Sequence, residues 1–521
     1  MTRLRHAILL PLLIVASVQC ATGPDPEPQD VTVEGDPNSA LAVALRAAGR
    51  VDDIFTQAFL YTRIADAYNE AGLPLPAVNV LERSLQISQR EDVGAARAEI
   101  LVQVAAEYRA LDRIDRSREL LQEALSLTRS IDEESTRIVV LQQIVTGAFG
   151  ADEELFDVLV QTLDYVYVVE DLAARVDLLV DVARRYQESG LGQQVNTLIQ
   201  QAIAAANGIS NPWLKAAAYA AIARRFHVAG NESQRDLYVA RSLREIQGVE
   251  VLTRSPGEAA ELLTIANDFA AVGKLNEAER VLATIEFPSI RARGLSELGS
   301  RYLAMDKADE ADRIFDEAVN TVALDGTDAQ FADIVSDIAN RFALASRPSD
   351  ALSNAEVALV LSRDAEEEFT RSQVVARVAE VFVRIDRLDL AVESVEELDS
   401  RYEAATLYAS LSRELFAVNR VDDALRFIQP AVTAAEETDR NTDTIYRDIA
   451  SLLSQLGRFG DAITLIDRIS TAFAQGQALV ELGRYSLIAG GLGPEEQERL
   501  NALASRLSGE PGRIAPAAAS Q

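Results

Sequence analysis

The chain has 521 residues, 48% of them hydrophobic and only 6% aromatic, with a formal net charge of -31. That hydrophobic share supports packed cores and excludes wholesale disorder. So acidic a surface repels phosphate backbones and anionic headgroups, which weighs against nucleic acid as a partner.

At the N-terminus, "MTRLRHAILLPLLIVASVQC" places two arginines before an apolar run from Ala7 to Val18 and ends on Cys20, the only cysteine. The run is short for a membrane span and has the build of a signal h-region. The segment resembles a bacterial lipobox, with Cys20 as the lipid acceptor and Gln19 where a small residue is usual. That resemblance implies a signal over residues 1–19, a lipid anchor on Cys20 and, with Ala21 following, the periplasmic face of an outer membrane. An ordinary secretory signal cut after Ala21, releasing a soluble exported or periplasmic protein, is the alternative. Next comes "TGPDPEPQDVTVEGDPNS", 18 residues rich in Pro, Asp and Glu. It reads as a tether over residues 20–38, able to extend roughly 55 Å at about 3.1 Å per residue.

"SALAVALRAAG" (39–49) is expected to form a helix capping the N-terminal end of the folded part. From there one pattern recurs. "RIADAYNEAGLPLPAVNVL" carries Ala65, Tyr68, Gly72, Ala77 and Leu81; "IANDFAAVG" repeats it with Ala266, Phe269 and Gly273. The aromatic position, or its weaker equivalent, recurs at 68, 108, 148, 186, 226, 269, 302, 342, 382, 415, 453 and 486. Twelve units at spacings of 33 to 43 residues are the signature of a solenoid. The main spacings, 33 and 40, differ by about two helical turns, so units lengthen while keeping their contact face. Small residues let two antiparallel helices approach while the ring fills the gap. Gly72 is expected to end the first helix with a positive φ. No hairpin covers its own apolar face, so each buries it on the next.

This register resembles the tetratricopeptide repeat family over roughly residues 50–490. The resemblance implies an all-α solenoid of about twelve helical hairpins forming a right-handed superhelix, with the first helix of each unit lining a concave face. "PEEQERLNALASRL" (494–507) is expected to cap the C-terminal end, closing a domain of residues 39–507, and 508–521 to be a disordered tail.

No catalytic constellation is evident. His227 is the only histidine outside the signal, and there is no phosphate loop or metal-ligating cluster. "DGTDAQ" (325–330) is a fragment of a calcium-loop pattern that reads as a helix-entry turn. On the concave face, family geometry places Arg184, Arg224, Asn267 and Asn340 two residues before the aromatic position. Arg109, Gln187 and His227 lie one residue beyond it. These seven are the candidate binding residues, and a basic spot around Arg184 and Arg224 receiving a partner's carboxylate is the sharpest expectation. Pairing of those arginines with neighbouring acids is the alternative. The family's peptide-carboxylate clamp is absent, its slots holding Thr62 and Asp66, Val180 and Arg184, Ala220 and Arg224.

The sequence therefore points to a non-enzymatic scaffold without cofactor or metal, tethered by lipid in the bacterial cell envelope and presenting a groove to a protein or peptide. A periplasmic small-ligand carrier associated with a transporter is the alternative.

Overall fold

A computed structural model describes residues 39–507 apart from 90–93, 148–154, 190–191, 249–254, 326 and 364–367. Cys20, the signal, the tether, the tail and the repeat position at 148 lie outside the described residues. Twenty-five helices and no strands are found among those described. They begin with α1 (Ala40–Ala48), α2 (Ile54–Glu70), α3 (Pro74–Ser88), α4 (Gly94–Ala110), α5 (Ile114–Thr128), α6 (Glu134–Gly147), α7 (Phe156–Val166) and α8 (Leu172–Glu188). There follow α9 (Gly192–Gly208), α10 (Pro212–Val228), α11 (Glu232–Gln247), α12 (Pro256–Ala271), α13 (Leu275–Leu282), α14 (Pro288–Ala304), α15 (Ala308–Asp325), α16 (Asp328–Leu344) and α17 (Pro348–Ser362). The chain finishes with α18 (Glu368–Arg384), α19 (Leu388–Glu396), α20 (Arg401–Ala417), α21 (Val421–Glu436), α22 (Asp443–Gln455), α23 (Phe459–Ile466), α24 (Ala472–Ile488) and α25 (Pro494–Leu507).

Each even-numbered helix from α2 to α22 packs against the helix that follows it, giving eleven consecutive hairpins. The architecture is the tetratricopeptide-like α-solenoid expected from the repeat. Successive even-numbered helices touch one another all along the chain, whereas successive odd-numbered ones meet substantially only at α5–α7, α11–α13 and, where α25 lies outside the seam, α23–α25. The even-numbered helices therefore form the tighter, inner layer.

The turns explain the motif. At ten described inner-helix ends, the residue four after the aromatic position, or its weaker equivalent, has a positive φ. The N–H of the next residue donates back to the carbonyl of that aromatic position at 2.7–3.0 Å, as from Leu73 to Tyr68 and from Lys274 to Phe269. This is the bond that closes a helix with a left-handed residue. Glycine takes the left-handed place at 72, 230, 273, 457 and 490, but Asp112, Asp306, Ser346, Asp386 and Asn419 take it elsewhere. Short polar side chains tolerate this conformation at a cost of about 1 kcal/mol. Asp306→Gly is accordingly expected to stabilise the chain by about 1 kcal/mol, read as a raised urea midpoint.

The two spacings separate by layer. Nine of the twelve inner helices have 17 residues. Units spaced by 33 residues have outer helices of only 8 or 9 residues, at α13, α19 and α23. Length is thus adjusted on the outside, and the inner layer stays regular. The helix-entry reading of 325–330 holds at Thr327, whose Oγ1 accepts from the Gln330 N–H while Gln330 Oε1 accepts from the Thr327 N–H, a reciprocal cap of α16.

The ends of the array meet. Helix α24 does not pair with α25; its partner is α1, and α24 also lies beside α2. Helix α1 fills the outer seat of a twelfth hairpin and then leads into α2 as every outer helix leads into the next inner one. The reading of 39–49 as the cap of an open end is corrected here: its apolar residues are covered by the far end of the chain. Leu41, Val43, Ala44, Ala47 and Ala48 are all fully buried. Two glycines of α24 make room for this. A Cβ on Gly483 would stand 2.4 Å from Leu41 Cδ2, and one on Gly476 would stand 2.4 Å from Leu60 Cδ2. Helix α25 packs outside the seam, on α23 and α1. The twelve hairpins form a closed ring.

Candidate functional site: the inner face of the ring

With neighbouring axes about 9 Å apart, twelve inner helices have a circumference of roughly 110 Å and face one another across about 35 Å. Arg224 and Asn340, two of the residues expected to be concave, pair there with side chains the register did not single out. They form clasps between neighbouring units. Arg224 donates to Asp268 Oδ1 at 2.8 Å, Arg377 to Asp333 Oδ1 at 2.7 Å and Arg384 to Asn340 Oδ1 at 2.8 Å, each pair 44 residues apart. Arg185 and Arg225, the second arginines of "ARRY" and "ARRF", instead reach back to the preceding inner helix. They donate to the carbonyls of Val145 and Ala183 at 3.0 and 3.3 Å. The Val145 carbonyl lies in the last turn of α6, where it has no helical partner, and both arginines tie one inner helix to the one before it.

The seven candidate residues are spread over five inner helices and do not converge. Arg184 is paired with Asp181 at 3.1 Å and Arg224 with Asp268 at 2.8 Å. Gln187 accepts from Arg225, and Asn340 from Arg384. His227 Nδ1 lies 3.5 Å from Arg235 Nη1. Asn267 is half-buried, and Arg109 sits half-buried at the end of α4. The basic spot expected at Arg184 and Arg224 is not formed, because carboxylates of the same and later units surround it. Burial first, then the charges of Asp181, Asp268, Glu261 and Asp171, push Asp177 up to about 6. Sequence reading located the arginines but not their acids, since Asp268 reaches Arg224 only through the unit spacing.

Two features were missed. The first is the charge cluster across the seam. Arg484, only 12% exposed, binds Asp66 at 2.8 Å and Glu70 at 2.6 Å, while Arg63 reaches Glu481 at 3.2 Å. Burial opposes the charge on Arg484, but Glu481, Asp66 and Glu70 more than offset it and hold the guanidinium charged. Glu107 of α4 faces the same cluster. Burial first, then Asp66, push its carboxyl up to about 7, against the pull of Arg63 and Arg484. An acid raised in the folded state stabilises below its unfolded value, near 4.5, and that contribution is lost as pH rises through about 7. Glu107→Gln is therefore expected to raise the urea midpoint at pH 8 by the equivalent of about 1–2 kcal/mol, and to leave it unchanged at about pH 4.

The second feature is a trough continuing from that cluster. One stretch, about 230 Å³, is lined by Arg63, Arg413, Arg447, Asp448, Gln455, Gln477 and Glu481. A second, about 490 Å³, runs on through Arg384, Glu380, Glu414 and Phe416, sharing Arg413, Leu452 and Gln455 with the first. The trough crosses five inner helices, from α18 over the seam to α2. Arg413 is 56% exposed and spans to Asp448 at 3.3 Å; Arg447 holds Gln477 at 3.0 Å and shares Asp448. Three arginines against two acids make the first stretch a basic place in a strongly acidic chain. Its signal in the sequence was the run of Arg413, Ser451 and Arg484 at the concave position, but joining them to Arg63 requires the closure. Among the described residues, no group of three or more His, Cys, Asp or Glu is arranged to hold a metal, and no helix is long and apolar enough to cross a membrane.

No family model matches the chain, and no curated protein matches its sequence. Solved structures with partial likeness include Ton1535 from Thermococcus onnurineus NA1, at 14% identity and a TM-score of 0.28 over 70% of this chain and 96% of that one. A Rap protein complexed with Competence and Sporulation Factor matches at 10% identity and 0.25, over 76% and 98%. The human IFIT1 dimer with m7Gppp-AAAA matches at 12% identity and 0.25, over 91% and 96%. Scores this low fall short of a shared overall arrangement.

Proposed function

We propose that this chain is a protein-binding scaffold of the tetratricopeptide type, tethered through Cys20 in the bacterial cell envelope, and that it holds a partner segment against the inner face of its ring. The reading rests on one observation: the trough from α18 to α2 is open along its length, and its stretch over α20 to α2 sets three arginines against two acids in a strongly acidic chain. Exposed arginines with a free share of donors suit backbone carbonyls and carboxylates of an extended segment. Binding over many units then needs no single deep pocket. The tether confines the encounter to the membrane surface and raises effective concentration. The chain acts by binding and not by turnover. The small-ligand alternative fits less well, since a trough open along its length and spread over five helices lacks the enclosure that small-molecule sites use to bury most of their ligand.

A photo-crosslinking residue at Gln455 tests this in cells. One or a few discrete protein adducts are expected there, with none at the outer-face position Val360. Adducts of equal pattern at both positions, or none at Gln455, would remove the inner-face reading. The mass of the mature N-terminus in wild type and Cys20→Ala tests the tether separately.

A further inference from the structure

The inner helices all end, and the outer helices all begin, on one rim of the ring. That rim carries an unusual set of side chains. Val228, Leu344 and Ile488 are the last residues of α10, α16 and α24 and are 65–66% exposed; Val418 and Met305 cap α20 and α14 at 62% and 49%. Leu75, at the start of α3, is 68% exposed. Of the fifteen large hydrophobic residues exposed among those described, seven lie on this rim and three on the opposite one, Tyr167, Val168 and Phe369. A polar residue would satisfy the turn equally well at these places, as Glu70 does at the end of α2. Exposed apolar side chains that recur from unit to unit along one rim, and not along the other, give that rim the character of a shallow apolar edge.

The chain itself indicates what covers it. Helix α1 runs antiparallel to α24, with Leu41 at its start against Gly483 near the end of α24. Ser39 stands beside the Tyr68 hydroxyl near the end of α2. The segment from Cys20 therefore joins the ring on this same apolar rim. Its 18 residues, reaching roughly 55 Å at full stretch, keep that rim within easy reach of the lipid. A second copy is the poorer occupant, because two chains of net charge -31 repel each other.

We infer that the ring lies flat on the bilayer with this rim down, its Leu, Val, Ile and Met side chains dipping into the interface of zwitterionic lipid. The inference rests on the tether reading. A lipid anchor and a shallow apolar rim together supply the two signals that stable attachment needs. The opening of the ring then faces the membrane, and the opposite rim, which carries Trp213 at the start of α10, faces away from it.

The lipidated chain is reconstituted in phosphatidylcholine vesicles with an environment-sensitive dye at Ile488→Cys or, as control, at Phe369→Cys. The dye at 488 is expected to shift to the blue and to be quenched by shallow spin-labelled lipid at least fivefold more than the dye at 369, unchanged by 0.5 M salt. Equal quenching at both sites, or none at 488, overturns the inference. A blue shift at 488 without vesicles, accompanied by a doubled mass in sedimentation, overturns it in favour of a second copy. Unmodified Cys20 in native membranes is a different failure, that of the tether. Flotation of the unlipidated Cys20→Ala chain then tests the rim alone, with Leu344→Glu/Ile488→Glu expected to weaken vesicle binding at least tenfold and equal flotation of the two chains contradicting it.

Discussion

Gly483→Leu combined with Arg484→Glu is expected to open the ring. No side chain fits at 483 while Leu41 is seated, because even a Cβ would stand within 2.4 Å of it. A leucine must displace the start of α1, and with it go three large aliphatic residues whose burial stabilises by about 2 kcal/mol each. Reversing Arg484 sets a carboxylate against Asp66, Glu70 and Glu481, leaving the more exposed Arg63 as the one cation paired with the cluster. The other hairpins depend only on their neighbours, so far-ultraviolet circular dichroism is expected to stay close to wild type. The maximum dimension in small-angle scattering is expected to rise by tens of ångströms, since an open array of twelve units spaced about 9 Å apart has a contour on the order of 100 Å. An unchanged scattering curve from a folded double variant would mean that α1 and α24 hold together by something other than these contacts.

Gly299→Val is expected to be the most damaging single substitution within a hairpin. Gly299 occupies the small position of its unit, and an added Cβ would lie 2.4, 2.7 and 2.9 Å from three carbons of the Phe315 ring. That ring is buried and meets Phe342 of the next unit edge-on, with centroids 4.9 Å apart, so it has nowhere to retreat. Overpacking of this kind costs about 3 kcal/mol. The loss acts on two interfaces, since Phe315 joins α14 to α15 and α15 to α16. Urea unfolding checks it, and Gly299→Ala/Phe315→Leu is expected to recover much of the loss through coupling of the two sites. A valine that left the midpoint within experimental error would show that α14 and α15 sit further apart than these contacts place them.

How far the sequence anticipated this structure depends on the range of each interaction. The hairpins were legible because Ala65, Tyr68, Gly72 and Ala77 act on one another within a single turn and its flanks. The turn was harder to see where Asp112, Asp306, Ser346, Asp386 and Asn419 stand in for glycine, because those residues also read as ordinary surface positions. They share the left-handed conformation at φ 58–62°. The inner-face clasps were half legible. Arg224 was picked out by its register, yet its partner Asp268 lies one unit further on, and the acids around it turn an expected basic spot into a paired one. Closure was not legible. "ALAVALRAA" is apolar on most sides, as a buried helix must be, but nothing local says that its cover comes from α24. Gly476 and Gly483 were the only hints, and an isolated helical glycine has many explanations. The trough was invisible for the same reason, since its lining residues sit on both sides of the seam.

The closed ring carries the rest: the lumen, the trough across the seam and the single apolar rim all depend on it. The most direct measurement places spin labels at Ala71 and Ala489, which cap α2 and α24, in a Cys20→Ala background, and reads their separation by electron double resonance. Adjacent parallel inner helices predict one narrow distribution below about 30 Å, little more than the axis spacing plus two label linkers. A broad distribution beyond about 60 Å, as the ends of an open twelve-unit array would give, would contradict the closed ring.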